Sequence, residues 1–486
     1  MSNSPQKVHF IAIGGAVMHN LALALHQKGY QVTGSDDEIY DPAKSRLQSA
    51  SILPDNIGWN EENIKEDLDA VILGMHARKD NPELLKAQKL GLKIYSFPEY
   101  VYEQSKEKQR IVIAGSHGKT SITSIILHVL KYYNRNFDYL VGAQIEGFDL
   151  MVKLSDDAPT IIIEGDEYLS SALEMRSKFL FYHPHIALFS GIAWDHFNVF
   201  PKFEDYVKAF EELADGLPKA GAIIFDETDN MVDVICEKER EDVNKVPYKA
   251  HPYEVKNGVS YLLTGNGKVP LKIFGEHNMK NLNGAKKILE RLAITEEMFY
   301  EAIQSFSGAA KRLEKLGENK YTQIFRDFAH APSKVEATTK AGKELQPERQ
   351  LIACYELHTY SSLNKDFLPH YAEKLDAADR AVVFYSPHTL VIKKMPAISK
   401  DEIKKAFGRD DIEVFTTSEE LDGFLKSQNW YNSNLLLMSS GTFGGTDLSQ
   451  LAKEILELPV DIPEEEKPAI KNKKGSKLRG IFKRKK

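Results

Sequence analysis

The chain is poor in cysteine and tryptophan: two cysteines, Cys236 and Cys354, and three tryptophans stand among 486 residues. Two thiols in apolar surroundings exclude a disulfide or zinc framework and fit a reducing compartment. Long hydrophobic runs are missing too. No apolar stretch approaches the ~18 residues that a membrane span requires, and the first residues lack the charged-then-apolar order of a secretory leader. A cytoplasmic location is therefore expected. Neither sign of charge dominates, since 63 Lys and Arg face 70 Asp and Glu for a net charge of −7. An acidic body repels phosphate backbones, so no nucleic-acid partner is expected. Hydrophobic content is 42%, ordinary for a globular protein. The length predicts about two to four domains.

Charge is concentrated in one place. Residues 471–486 carry nine Lys or Arg and no acid, which leaves the rest of the chain at about −16. This segment is expected to be a disordered, solvated tail. Leu478, Ile481 and Phe482 within it keep open a second reading, weak reversible docking on an anionic membrane surface.

What the sequence does have is a succession of three strand–helix alternations. Short β-branched runs separated by amphipathic helices predict an α/β protein of mostly parallel sheets. The expected domains are 1–106, 107–308 and 309–462, with 463–486 as the tail. Strands are expected at Val8–Ile13, Gln31–Ser35, Ala70–Gly74 and Lys93–Ser96 in the first. In the second they are expected at Thr160–Ile163, Ile186–Phe189 and Ala222–Phe225. In the third they are expected near Leu351–Cys354, Val382–Tyr385 and Leu435–Met438.

The strongest chemical signal is Gly115-Ser116-His117-Gly118-Lys119-Thr120-Ser121, which follows the apolar run Ile111–Ile113 and opens a helix expected from Ser121 to about Tyr132. Small residues let backbone N–H groups close on phosphate oxygens at a helix N-terminus. Lys119 would reach the terminal phosphates and the Thr120 hydroxyl a Mg²⁺ ion. Ile113 stands where the usual motif has glycine, so this is a shortened variant. Gly14 and Gly15, followed by Ala16, Val17 and Met18, resemble a dinucleotide turn, with Ser35 and Asp36 ending the next strand where a ribose is read. Val17 replaces the third small residue, which leaves a nucleotide or diphosphate open and NAD as one option among several.

Further along, Glu164 closes an apolar strand in Glu164-Gly165-Asp166-Glu167. A carboxylate there suits Mg²⁺ beside phosphates. Asp195-His196 ends the next strand, where His196 could ligate a second ion. His277, Asn278 and Asn281 open a helix, and their amides suit a purine edge or a cap. Arg312 in Lys311-Arg312-Leu313-Glu314 could meet a phosphate, and Asp327 in Arg326-Asp327-Phe328-Ala329-His330 could hold a ribose hydroxyl.

In this order the motifs resemble those of the Mur ligase family, the ATP-dependent amide-forming enzymes of bacterial cell-wall synthesis, from about residue 8 to 457. The resemblance implies a Rossmann-like first domain holding the UDP end of a UDP-N-acetylmuramoyl substrate, through Gly14, Gly15, Ala16, Val17, Met18, Ser35, Asp36 and His76. It implies a central P-loop domain binding ATP through the 115–121 loop, His277, Asn278, Asn281, Arg312 and Asp327. Mg²⁺ would be held by Thr120, Glu164 and His196. A Rossmann-like third domain would bring the acceptor to Glu356, His358 and Tyr360. Lys119, Glu164, His196, Arg312 and His330 would carry catalysis through an acyl phosphate, with His330 a candidate base by position.

Several members of the family carry a carbamylated lysine where Phe210 stands here, which resembles the branch that acts on the lactyl carboxylate itself. Within that branch, Gly34-Ser35-Asp36, Arg176-Ser177-Lys178-Phe179, Tyr182, Pro184 and Ser439–Gly445 resemble the enzymes that add L-Ala-γ-D-Glu-meso-diaminopimelate in peptidoglycan recycling, which is the expected activity. The alternative is addition of L-alanine in de novo synthesis, to which Tyr355–Tyr360 is as similar. The chain departs from the family pattern at Gly191 (asparagine expected), Lys311 (arginine), Arg326 (aspartate) and Thr359 (arginine). These departures keep a further alternative open, a nucleotide-binding scaffold without ligase activity. An NAD-dependent oxidoreductase would leave the phosphate loop unexplained. The oligomeric state, monomer or dimer, is left open.

Overall fold

A computed structural model of the chain describes residues 5–171, 173–194, 199–238 and 240–463. The expected tail beyond 463, and Asp195 and His196, lie outside the described residues. Three main sheets follow one another along the chain. In the first, four parallel strands lie in the order Gln31–Ser35, Lys7–Ile11, Ala70–Leu73, Ile94–Ser96. Its first strand stops two residues short of the expected end. Ala12 turns to a φ of 69°, and the N–H groups of Ala12 and Ile13 both donate to the Ser35 carbonyl, at 2.9 and 3.0 Å. The chain thereby leaves the ladder and enters the Gly14-Gly15 turn, which leads into the helix Ala16–Gln27.

The central sheet has seven strands, with Gln109–Ala114 in the middle between Ile186–Phe189 and Thr160–Glu164. Ile111, Val112 and Ile113 are fully buried because helices cover both faces of a parallel sheet. Only the short edge strand Val152–Lys153 runs antiparallel. The third sheet orders six strands as Glu314–Glu318, Thr322–Asp327, Ser433–Met438, Gln350–Leu357, Arg380–Tyr385, Glu413–Phe415. Its first strand is antiparallel and was not anticipated, nor was the three-stranded antiparallel meander of Tyr253–Lys256, Val259–Thr264 and Gly267–Leu271. Both are partly exposed and rich in Lys, Glu and Gly, so they lack the buried aliphatic signature that marks the parallel strands. Among the described residues no helix is long and apolar enough to cross a membrane.

The first two sheets are joined through Asn20, which is fully buried on the helix after the glycine turn. Its Oδ1 accepts from the Met151 N–H at 2.9 Å and from Arg46 Nη1 at 3.3 Å, while its Nδ2 donates to the Ala16 carbonyl at 2.8 Å. Arg46 in turn donates to Gln144 Oε1 and the Asp149 carbonyl of the central domain. This interlock fixes the glycine turn relative to the phosphate loop. Asn20→Ala leaves the Met151 N–H buried without that acceptor. It is expected to cost about 1–3 kcal/mol in urea denaturation.

Candidate active site

The strand Gln109–Ala114 ends directly in the phosphate loop, and the helix begins at Lys119, two residues earlier than expected. Gly115 has a φ of 131° and Gly118 a φ of 77°, conformations that favour glycine. A side chain at Gly118 would collide with the Asn281 amide, and one at Gly115 with Ser190. Ile113 lies inside the strand and is fully buried, which explains how the loop is shortened.

Lys119 Nζ donates to the Gly115 carbonyl at 2.6 Å and to Glu167 Oε2 at 2.7 Å. Burial works against the ammonium, but the Glu167 carboxylate, with Asp166 and Glu164 nearby, outweighs it and raises the Lys119 pKa. Glu167 is fully buried, and its Oε1 accepts from the Tyr206 hydroxyl at 3.3 Å. Tyr206 also shares a 2.8 Å hydrogen bond with Ser116 Oγ, which accepts from the Ala193 N–H at 2.9 Å. Neither Glu167 nor Tyr206 was singled out from the sequence. Glu167 belonged to a noted acidic run, but nothing in that run distinguishes the carboxylate that faces inward.

The Thr120 hydroxyl donates to Glu164 Oε1 at 2.7 Å, and Glu164 Oε2 accepts from the Gly142 N–H at 2.8 Å. The described residues hold no group of three or more His, Cys, Asp or Glu that would enclose a metal. One hydroxyl and one carboxylate beside a phosphate cradle are nevertheless the donor set Mg²⁺ takes when phosphate oxygens and waters complete its shell. Thr120 and Glu164 therefore fit the ion.

A single chamber of about 900 Å³ connects these groups to all three domains. Gly15, Ala16, Val17, Met18 and His76 line it from the first domain; Ser116–Ser121, Glu164, His277, Asn278 and Asn281 from the second; and Arg312, Asp327 and His330 from the third. Burial holds the His277 pKa below its ordinary value, so the imidazole is neutral near pH 7. Asn278 donates to the Phe274 carbonyl at 2.8 Å.

Other expected residues are placed differently. Ser35 is buried and hydrogen-bonded to Glu83, which also faces His9 Nε2 at 3.3 Å, so its hydroxyl cannot meet a substrate. Asp36 was expected to face a ribose. Instead it is 6% exposed and accepts from the Gly14 N–H at 2.7 Å and the Asp37 N–H at 2.9 Å, locking the glycine turn from inside. Its burial pushes its pKa up to about 6, against the pull of the Gly14 bond. Asp327 lines the chamber, yet both its oxygens accept backbone bonds, from Leu313 and Ala329 at 2.7 Å each. It ties the linker entering the third domain, which presents Arg312 over the Phe328 ring at 4.7 Å. Glu356, His358 and Tyr360 do not line the chamber. Glu356 is buried and accepts from Ser439 and from the Phe443 N–H at 2.8 Å, His358 lies 3.7 Å from it, and Tyr360 is exposed with Lys393 over its ring.

The family departures have local causes. Gly191 has a φ of 146°, and a Cβ there would come within 2.6 Å of His117 Nε2. Arg326 forms a two-pronged pair with Glu314, with both contacts at 2.9 Å, and Glu314 also accepts from the Lys311 N–H. Phe210 is fully buried against Phe179, Phe189 and Tyr206, so the slot of the carbamylated lysine is filled by aromatic packing. Thr359 Oγ1 turns back on Ser362.

Two outcomes are expected. Lys119→Ala should lower ATP turnover by about 10²–10³-fold in a chain that circular dichroism still reports as folded, with a lower melting temperature because buried Glu167 loses its cation. Gly191→Asn should lower the melting temperature by an amount equivalent to about 1–3 kcal/mol, because the family's asparagine has no room beside His117.

Comparison with known proteins agrees with this geometry. Residues 113–288 match the family model described as the Mur ligase middle domain, and residues 7–109 the one described as the Mur ligase family, catalytic domain. The UDP-N-acetylmuramate–L-alanine ligase of Caldicellulosiruptor bescii is 32% identical over 394 residues, covering 78% of this chain and 83% of that protein. The enzyme of the same name from Carboxydothermus hydrogenoformans is 29% identical, with 92% and 96% covered. A crystal structure of a murein peptide ligase from Psychrobacter arcticus shares the fold, with a TM-score of 0.62 at 21% identity over 94% of this chain and all of that one. The chain belongs to the Mur ligase family, whose members are ATP-dependent ligases that form amide bonds.

Proposed function

We propose that this protein joins the lactyl carboxylate of UDP-N-acetylmuramate to the amine of L-alanine, with ATP cleaved to ADP and phosphate. One observation carries the reading: the sugar-side turn, the phosphate loop and the third domain's His330 line one continuous chamber. The choice of L-alanine follows the names of the relatives at 29% and 32% identity.

The order of bond changes follows from the charges available. A carboxylate oxygen attacks the γ-phosphorus, and the bond from that phosphorus to the β–γ bridging oxygen breaks, releasing ADP. The amine nitrogen then attacks the acyl carbon, and the carbon–oxygen bond to phosphate breaks. Lys119 and the N–H groups of the loop hold the phosphoryl oxygens, where charge spreads in the transition state. Thr120 and Glu164 would hold Mg²⁺, which supplies charge neutralisation on the phosphates. His330 Nδ1 lies 2.9 Å from the Phe328 carbonyl, which only accepts, so Nδ1 carries the proton and Nε2, which faces the Lys334 ammonium at 3.4 Å, is the acceptor nitrogen. Nε2 is our candidate to take the proton of the attacking amine. A cytoplasmic location goes with this reading, whose substrates are ATP and a UDP-sugar.

A second reading keeps the tripeptide L-Ala-γ-D-Glu-meso-diaminopimelate as acceptor. It is supported by the resemblance at residues 176–184 and 439–445, and by Thr359 standing where the alanine-adding enzymes are expected to have arginine.

Phosphate release is to be measured with ATP, Mg²⁺ and UDP-N-acetylmuramate, and with L-alanine, dipeptide, tripeptide or tetrapeptide supplied singly, with mass spectrometry of the product. L-alanine-dependent release with the amide product is expected. Release with the tripeptide alone would establish the second reading, and release with none would overturn the ligase assignment.

A further inference from the structure

The chamber wall includes residues of a folded-back stretch whose described parts are residues 166–171 and 173–178. It is closed by a bridge between Leu169 and Ser177 and by the N–H groups of Ser170, Lys178 and Phe179, which donate to the carbonyls of Arg176, Tyr168 and Asp166. Three of its side chains, Asp166, Ser170 and Lys178, line the chamber. Lys178 Nζ lies 2.6 Å from Asp166 Oδ2. Ser170 is 2% exposed, and its hydroxyl has no hydrogen-bond partner.

Both features are odd for a wall that only closes a loop. A hydroxyl buried without a partner costs about 1–3 kcal/mol unless something supplies one. An ammonium carries three donors, and a single carboxylate contact leaves capacity for another anion. The position gives that capacity a use. Asp166 stands two residues after Glu164, and its partner Lys178 lines the same chamber as the Thr120–Glu164 pair. Two anions brought to about 4 Å repel each other strongly in a partly desolvated cavity. Lys119 is aimed at the phosphate side. The cations Arg312, Lys334 and Lys340 come from the third domain, and Lys280 is paired with Asp226 at 3.4 Å on another wall. Lys178 is the cation on the loop that follows the metal-side carboxylate.

We infer that Lys178 and Ser170 bind the carboxylate of the sugar-nucleotide substrate, the ammonium as an ion pair and the hydroxyl by donating a hydrogen bond to the same anion, and so select a UDP-sugar that bears an acid. The inference rests on the proposed ligase reading, because it assigns this site the acid that is to be activated. It makes Lys178 a binding and specificity residue rather than a group that takes part in bond changes.

The test is calorimetric titration of the full chain with two probes, UDP-N-acetylmuramate and UDP-N-acetylglucosamine, which lacks the lactyl carboxylate. Lys178→Met is expected to weaken the first about tenfold and leave the second unchanged, a loss in the range of one charge-assisted contact. Ser170→Ala is expected to weaken the first by about threefold, and Lys178→Arg to recover most of the affinity. The ATP affinity and the melting temperature should stay as in the parent. Equal weakening toward both probes would make Lys178 a structural residue and overturn the inference, as would no change toward either. If the parent turns over UDP-N-acetylmuramate while Lys178→Met binds it normally, the inference fails and the ligase reading stands. If the parent does not bind UDP-N-acetylmuramate, both fall together.

Discussion

The buried pair between Lys119 and Glu167 is the contact on which the site depends. A lysine at the start of a helix, already beside the positive end of the helix dipole, is unfavourable unless an anion faces it. Glu167 supplies that anion from the loop after the neighbouring strand, at 2.7 Å and out of water. Its second oxygen is held by Tyr206, whose hydroxyl also engages Ser116 within the phosphate loop. The loop is thus braced by two chain segments distant from it in sequence. Preorganisation of this kind lowers the ordering cost of binding a triphosphate.

The same bracing accounts for the residues that depart from the family pattern. Tyr206 and Phe210 lie one turn apart on one helix, and the aromatic cluster they form with Phe179 and Phe189 occupies the space of a modified lysine. Gly191 follows from the closeness of His117, which presses on the backbone where an asparagine side chain would stand. Arg326, which stands where an aspartate is expected, pairs with Glu314 and links two strands of the third sheet. Each departure is matched by a neighbour that makes it tolerable, which is how a distant sequence retains one reaction chamber.

The chamber joins the domains in function. The Asn20 and Arg46 contacts hold the Gly14-Gly15 turn against the central domain, and Asp327 fastens the linker that carries Arg312. The cluster of Glu356 and His358 with the 439–443 loop stands outside this space, at the end of a neighbouring strand. The resemblance to tripeptide-adding enzymes and the alanine-adding relatives differ on the choice of acceptor.

Much was legible from the residues alone. The parallel strands announced themselves because strands buried on both faces must be aliphatic along their whole length. Gly115, Gly118, Lys119, Thr120 and Glu164 were readable because the backbone geometry of a phosphate cradle admits few side chains, and their order identified the family. The sequence could not tell which acidic residue turns inward. Glu167 and Asp36 became buried partners of Lys119 and Gly14, and Ser35 went under the sheet to Glu83, because those choices depend on groups 22 to 48 residues away in the chain. Nor could it reveal that Lys178 and Ser170 share a wall with the phosphate loop. Local pattern determines which residues prefer strands, turns and helix starts. Hydrogen-bond pairing and burial of charge are settled only when distant segments meet.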